Sequence, residues 1–196
     1  IWVKYKLTTY TYDEEGRVIK NLSQDWKNED WENSWLQTKE YNSQGMILSE
    51  INQKWKDGQW NLSSRITINY HNDAKKKEET GESWWDKDKY KFDKWEYSSS
   101  GETLSEFHEE KDHDTIVNSS RGKASFDANG RIMFYLSETY DVILQQWKNK
   151  WRTSYFYYPE GDLYTRQQEK WINEKWINIS RVVYSYKYHE YIKSKI

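Results

Sequence analysis

An aromatic residue followed four positions later by glycine recurs along this chain of 196 residues at a nearly fixed interval. The pairs are Tyr12 and Gly16, Tyr41 and Gly45, Tyr97 and Gly101, Phe126 and Gly130, and Tyr157 and Gly161; a sixth, Tyr70 and Ala74, has alanine in the glycine place. The anchors 16, 45, 74, 101, 130 and 161 are spaced by 29, 29, 27, 29 and 31 residues. A fixed period of this length marks a repeat architecture, in which one supersecondary unit is copied and stacked on its neighbours.

Further columns follow from the anchors. Ten residues after them stand Trp26, Trp55, Trp84, Lys111, Tyr140 and Trp171. Fourteen before the next anchor stand Trp2, Trp31, Trp60, Lys87, Ile116 and Trp147, and Trp176 continues this series toward a seventh anchor position at Glu190. Eight after the anchor stand Gln24, Gln53, Glu82, Glu109, Glu138 and Glu169. The chain thus opens and closes part-way through a unit.

Each unit reads as two strands and two turns. Tyr12-Asp-Glu-Glu-Gly16, Tyr41-Asn-Ser-Gln-Gly45 and Phe126-Asp-Ala-Asn-Gly130 supply Asp or Asn to start a turn and Gly where φ must be positive. The second turn lies between tryptophans, as in Trp26-Lys-Asn-Glu-Asp-Trp31, Trp55-Lys-Asp-Gly-Gln-Trp60 and Trp171-Ile-Asn-Glu-Lys-Trp176. Asp57-Gly58 is a strong hairpin signal. Between turns the residues alternate: Trp60, Leu62, Ser64, Ile66, Ile68 and Tyr70 on one side, and Trp55, Gln53, Ile51, Ser49 and Ile47 in the strand before. This predicts strands with one apolar face. The single proline, Pro159, falls in a turn.

The expected fold is all-β: tandem hairpin repeats of about 29 residues forming an extended antiparallel meander, a single twisted or curled sheet of solenoid-like character. Residues 1–196 read as one repeat domain of six hairpins with partial terminal repeats, either part of a longer protein or a processed mature chain. Cross-strand aromatic ladders are expected to hold it. The third and fourth units depart from the pattern, with Lys75-Lys76-Lys77, with Lys87 and Lys111 in Trp columns, and with His108-Glu-Glu-Lys-Asp-His113-Asp114. The sheet is expected to be weakest across 71–120, between stronger blocks at about 1–70 and 124–190.

Composition agrees with sheet stripes rather than a conventional core. Hydrophobic residues are 35% and charged residues 32%, a balance that by itself suggests disorder. The 13 Trp, 17 Tyr and 5 Phe argue against disorder, because aromatic rings bury large areas and favour strands. Lys and Arg (30) are interleaved with Asp and Glu (32), so no basic patch of the kind nucleic acid requires is present. No apolar run approaches the ~18 residues of a membrane span. Cysteine is absent, which excludes disulfides and thiolate metal sites.

No catalytic, cofactor or metal constellation is readable. His108 and His113 flank Glu109, Glu110 and Asp112 at a spacing foreign to known ligand sets. The Gln/Glu column recurs in every unit, as a structural position does and a catalytic carboxylate pair does not. Asp13 and Asp127 suit Asx turns more simply than calcium. The sequons at Asn21, Asn61, Asn118 and Asn178 follow from the repeat itself. The functional promise lies in the columns Trp26, Trp31, Trp55, Trp60, Trp147, Trp171 and Trp176, since stacked aromatics can bind sugar rings or quaternary ammonium groups.

The motifs Tyr12-Asp13-Glu14-Glu15-Gly16-Arg17 and Phe126-Asp127-Ala128-Asn129-Gly130-Arg131 resemble the Tyr-Asp repeats of Rhs-type proteins, which are secreted or surface bacterial proteins with long, curling antiparallel sheets. The family's period is shorter and lacks the paired tryptophans. The chain is also similar to Trp- and Tyr-rich repeat arrays in secreted proteins of Gram-negative bacteria. Trp55-Lys-Asp-Gly-Gln-Trp60 and Tyr41-Asn-Ser-Gln-Gly-Met46 resemble pieces of choline- and glucan-binding repeats. Together these imply a non-catalytic extracellular or cell-surface module, structural, adhesive or partner-binding, whose partner is a protein or a surface glycan. The alternative is a carbohydrate- or cell-wall-binding module using exposed Trp and Tyr columns. No cofactor is expected.

Overall fold

The computed structural model describes residues 5–186 except position 87. It is all-β, with thirteen strands that lie side by side in the order of the sequence. No helix among the described residues is long and apolar enough to cross a membrane. The strands are β1 Lys6–Tyr12, β2 Val18–Lys27, β3 Asp30–Tyr41, β4 Ile47–Lys56, β5 Gln59–Tyr70, β6 Lys76–Asp86, β7 Lys89–Tyr97, β8 Thr103–Asp112, β9 Thr115–Phe126, β10 Ile132–Asp141, β11 Gln146–Tyr157, β12 Leu163–Ile172 and β13 Lys175–Val183. Two compact units are distinguished: Ile1–Arg121 with Tyr140–Gln146, and Gly122–Thr139 with Trp147–Ile196.

Both kinds of turn form where the sequence places them. At the anchors, residue 16, 45, 74, 101, 130 or 161 has φ between +66° and +107°, and its N–H bonds to the carbonyl three residues earlier at 2.9–3.1 Å. Asp13 Oδ1 accepts the N–H groups of Glu15 (3.1 Å) and Arg17 (2.8 Å); Asn42 and Asp127 do the same in their turns. This is why Asp or Asn follows the aromatic. Ala74 takes φ +66° and keeps the same turn, so its Cβ is accommodated by strain rather than by a changed conformation. At the opposite end, Asn28-Glu29, Asp57-Gly58, His113-Asp114 and Asn173-Glu174 all have positive φ, the two-residue turn whose twist matches the flanking strands.

The expected single apolar face is not what forms. Two β-bulges in each of the units that begin at Gly16, Gly45 and Gly161 invert the alternation. One lies three residues after the anchor, at Ile19, Leu48, Lys77, Leu104 and Tyr164, where one residue of the strand is left without a cross-strand partner. The other lies three residues after the second Trp, at Ser34, Ser63 and Ile179. Cross-strand partners share a face. Trp60 and Leu62 therefore lie with Gln53 and Trp55, whereas Ser64, Ile66 and Ile68 lie on the other face with Asn52 and Glu50. Apolar groups are divided between a Trp face and a Tyr face, and neither is a dry interior. The buried hydrophobic residues among those described are Ile68 and Ala124; the buried polar residues are Ser23, Ser119, Ser137, Thr153, Thr165 and Glu169.

Lateral joints between units take the place of a core. Tyr41 donates its hydroxyl to the carbonyl of Val18 (3.0 Å), Tyr70 to Ile47 (2.8 Å) and Tyr157 to Ile132 (2.7 Å), in each case the residue two past the preceding anchor. Arg17 binds Asp13 Oδ2 at 2.6 Å and lies 5.0 Å above the Tyr41 ring; Arg131 binds Asp127 Oδ2 at 2.7 Å and lies 4.8 Å above Tyr157. The Tyr-Asp-x-x-Gly-Arg pattern is thus a fastening in which one unit's arginine stacks on the next unit's tyrosine. Lys75, one residue past its anchor, reaches the Ser99 carbonyl at 2.9 Å in the same sense.

Candidate functional site

The tryptophans expected to form a ligand or partner surface occupy the two-residue hairpins. Trp26 and Trp31 are cross-strand partners with ring centroids 5.1 Å apart, as are Trp55 and Trp60; Trp171 and Trp176 are 4.9 Å apart. Interplanar angles of 65–72° make them edge-to-face pairs, a geometry that contributes ~0.5–1.5 kcal/mol beyond the area covered. Trp147 is the second residue of β11. All seven are half-buried. Each pair spends one ring face on its partner, and Trp176 also lies 4.5 Å below the Arg152 guanidinium.

The Gln/Glu column lies beside these pairs and is engaged structurally. Gln24 donates to Asn33 Oδ1 (3.1 Å), Glu109 pairs with Lys111 (3.0 Å), and Glu82 accepts from Tyr90 OH (3.1 Å) and Arg65 (3.3 Å). Glu169 is 9% exposed and takes two bonds from Arg152, at 2.5 and 3.0 Å. A buried carboxylate held by a forked guanidinium is a well-satisfied structural ion pair. Burial, with Glu82 as second cause, pushes the Tyr90 hydroxyl up to about 12.

On the Tyr face, Gln37 donates to Glu50 (2.8 Å) and Asn52 (3.2 Å), and Asn52 donates to Ser64 (3.1 Å), an amide row crossing three strands. Around Gly101 the positions equivalent to Gln37 and Asn52 hold Asp93 and His108, 2.6 Å apart, with His108 edge-on to Trp95. His113 instead meets Asp112 (2.6 Å) and Asp88 (3.3 Å) in the next turn, and the Asp112 hydrogen bond, then the Asp88 charge, raises its pKa. The two histidines engage different carboxylates, and no group of three or more His, Asp or Glu among the described residues could hold a metal ion.

One tryptophan behaves differently, and the repeat spacing misplaces it. Counting back from Gly101 puts Lys87 in the second Trp column, but position 87 lies outside the described residues, as do Trp2 and Glu190. The cross-strand partner of Trp84 is Tyr90, with centroids 5.4 Å apart, and Trp85 is an extra residue between Trp84 and Asp86. Trp85 is 64% exposed, while the other described tryptophans are half-buried. It lines a cleft of about 330 Å³ with Lys54, Lys56, Asn61 and Ser63. The readable signal was the loop length: five residues separate Trp84 from Tyr90, where four separate Trp26 from Trp31 and Trp55 from Trp60.

No family model and no curated protein matches this sequence. Solved structures similar to it include a DUF3836 family protein from Bacteroides vulgatus, with 15% identity over 57% of this chain and 95% of that one and a TM-score of 0.32. A protein of unknown function from Bacteroides fragilis is 10% identical over 75% of this chain and 89% of that one, with a TM-score of 0.30. A chain of the TcdB2-TccC3-TEV structure is 13% identical over 92% of this chain but only 11% of its own length, with a TM-score of 0.32. Likeness at these scores carries no argument about function.

Proposed function

We propose that this chain is a non-catalytic repeat module of an extracellular or cell-surface protein, with a structural, adhesive or partner-binding role. The observation that carries the reading is the reuse of one set of joints in successive units. Tyr41, Tyr70 and Tyr157 fasten equivalent carbonyls, and Arg17 and Arg131 clasp equivalent tyrosines. Side chains are thereby committed to extending a surface, which is what repeat arrays offer partners. The Arg-on-Tyr fastening also supports the likeness to Rhs-type Tyr-Asp repeats, whose setting is secretion or the cell surface. Antibody against the chain, applied to intact and permeabilised cells of the source organism, tests the location. Labelling of intact cells or recovery from the medium is expected; labelling confined to permeabilised cells would overturn the reading.

A second reading, glycan or cell-wall binding through the Trp columns, draws on the solvent left to each half-buried ring. Acrylamide quenching separates the two. Columns that serve as platforms quench readily and are protected by bound saccharide; columns that serve as joints do neither.

A further inference from the structure

We propose that the cleft at Trp85 is a binding site for a saccharide ring carrying a carboxylate. Trp85 owes its position to an insertion. Regular hairpins place four residues between the paired rings, and the fifth here is everted as a bulge. Its equivalents one residue after the first Trp are Lys27, Lys56 and Ile172. On the other side of the cleft the β5–β6 ladder stops at Ser64 and Ser83, and Ser63 is itself a bulge residue. Two bulges therefore face one another where the strands cease to pair, and the opening between them is the cleft.

Its lining suits a sugar. An indole 64% exposed offers a flat, electron-rich face to the weakly positive C–H groups of a pyranose. The Asn61 amide nitrogen is already directed at the carbonyls of Lys56 (3.3 Å) and Gln59 (3.2 Å), which leaves its oxygen to accept a sugar hydroxyl. Gln59 and Ser63 add further polar groups. The volume lies at the small end of the ~300–1,000 Å³ of ligand pockets, enough for one or two rings.

Charge selects among the ligands that an exposed Trp can take. Lys54 and Lys56 pair across the hairpin with Asn61 and Gln59, so the two ammonium groups share a face. Both are exposed, and Asp57 at the turn is the acidic group of the lining. Two cations repel a quaternary ammonium ligand and attract a carboxylate. A polyanionic nucleic acid would need a basic track, whereas Lys and Arg are balanced by acids along this chain. The inference is independent of cellular location, since binding is measured on the isolated chain.

The test uses tri-galacturonic acid as probe, neutral galactotriose as its counterpart and oligothymidylate as a competitor class. Calorimetry, with the Trp85 indole N–H signal followed by NMR, should show the acidic trimer binding at least tenfold more tightly than the neutral one. Trp85→Ala should abolish the heat and the shift. Lys54→Ala with Lys56→Ala should reduce acidic-trimer affinity about tenfold and leave the neutral trimer unchanged. Trp171→Phe, in another hairpin, should change nothing. Absence of binding, equal affinity for both trimers, tighter binding of oligothymidylate, or loss through Trp171 rather than Trp85 would each overturn the proposal. Trp85 and both lysines are exposed, so these variants keep the fold, which circular dichroism checks.

Discussion

Between Ile47 and Tyr70, the β4–β5 hairpin is held by an edge-to-face Trp pair on one face and the Asn52–Ser64 amide contact on the other. Between Lys76 and Asp112, strands β6–β8 follow the same up-and-down path and keep the Trp84–Tyr90 ring contact, but ion pairs surround it. Lys94 bridges Glu78 (2.8 Å) and Glu96 (3.1 Å), Lys76 meets Glu79 (2.6 Å), Lys91 meets Asp93 (3.0 Å), and Lys111 lies across from Tyr90. The β7–β8 ladder also lacks the Ser bulge and runs unbroken from Lys89–Asp112 to Glu96–Ser105. The repeat thus specifies a path and tolerates a change of adhesive. Partly exposed ion pairs contribute ~0–1 kcal/mol each and are screened by salt, whereas aromatic pairs are neither so weak nor so screened.

The largest effect expected from breaking the regular hairpin is that of Trp60→Ala, which deletes a half-buried ring and orphans Trp55. A loss of about 2–3 kcal/mol is expected, read as faster hydrogen exchange across β4–β5. A loss below about 1 kcal/mol would show that the Trp pairs are decoration. Next comes the turn. Gly45 has φ +82°, and although an added Cβ would meet only Arg17 Nη1 at 3.7 Å, a branched residue there is strained; Gly45→Val should cost about 1–2 kcal/mol. The opposite change, Ala74→Gly, removes strain at φ +66° and should gain a few tenths of a kcal/mol after the glycine's unfolded-state entropy is set against it. A destabilised Ala74→Gly chain would mean that the alanine methyl packs usefully.

Exchange should be fastest between residues 71 and 120, although that whole stretch lies inside one compact unit. Lys111→Trp, which sets a ring opposite Tyr90, should slow exchange in β7 and β8 only. Uniform protection would show that ionic and aromatic strands are equivalent. The smallest effects are those of pH and salt. Raising NaCl from 0.1 to 1 M should quicken exchange in β6–β8 by less than about fivefold and leave β4–β5 unchanged. The raised pKa of Tyr90 means that the fold favours its neutral hydroxyl; this support is complete below pH 10 and is lost as pH rises toward about 12. Tyr90→Phe should abolish that part of the alkaline loss. At the anchors the sign reverses. Burial works against the Asp13 charge, but the Arg17 backbone N–H and guanidinium outweigh it; at Asp127 the Arg131 N–H leads. Both carboxyls are held below 3.8, so their support is present at neutral pH and fades as pH falls through their lowered values. Asp127→Asn, which copies Asn42, should blunt that acid sensitivity.

What could be read from the sequence were the features written in a few consecutive residues. Asp13 to Gly16 encodes a turn, Asp57-Gly58 encodes another, and a tryptophan on either side marks the pair that meets. The bulges were not legible, because a bulge is a surplus of one residue between two strands and belongs to neither alone; Ser34, Ser63 and Ile179 share a position but not a side-chain type. Reading Ile66 and Ile68 with Trp60 therefore assigned them to the wrong face. Trp85 was missed for a related reason. Distances counted from Gly101 assume a full-length unit, and this unit is three residues short on one side of its hairpin and one residue long within it.

The paired bulges amount to a parity rule. In the units that begin at Gly16, Gly45, Ala74 and Gly161, each has two bulges, at 19 and 34, 48 and 63, 77 and 85, and 164 and 179. One bulge exchanges the faces and the second exchanges them back, so Tyr41 and Tyr70 return to the side of the Val18 and Ile47 carbonyls that take their hydroxyls. The Ala74 unit has lost its serine bulge and acquired Trp85, and the count remains even. A single-residue insertion elsewhere would turn each later repeat inside out, stranding arginines on one side and tyrosines on the other. Such a gene can lengthen or shorten its repeats freely by twos, but by one only if the odd residue is ejected from the ladder, where it is left facing water and free to acquire a use.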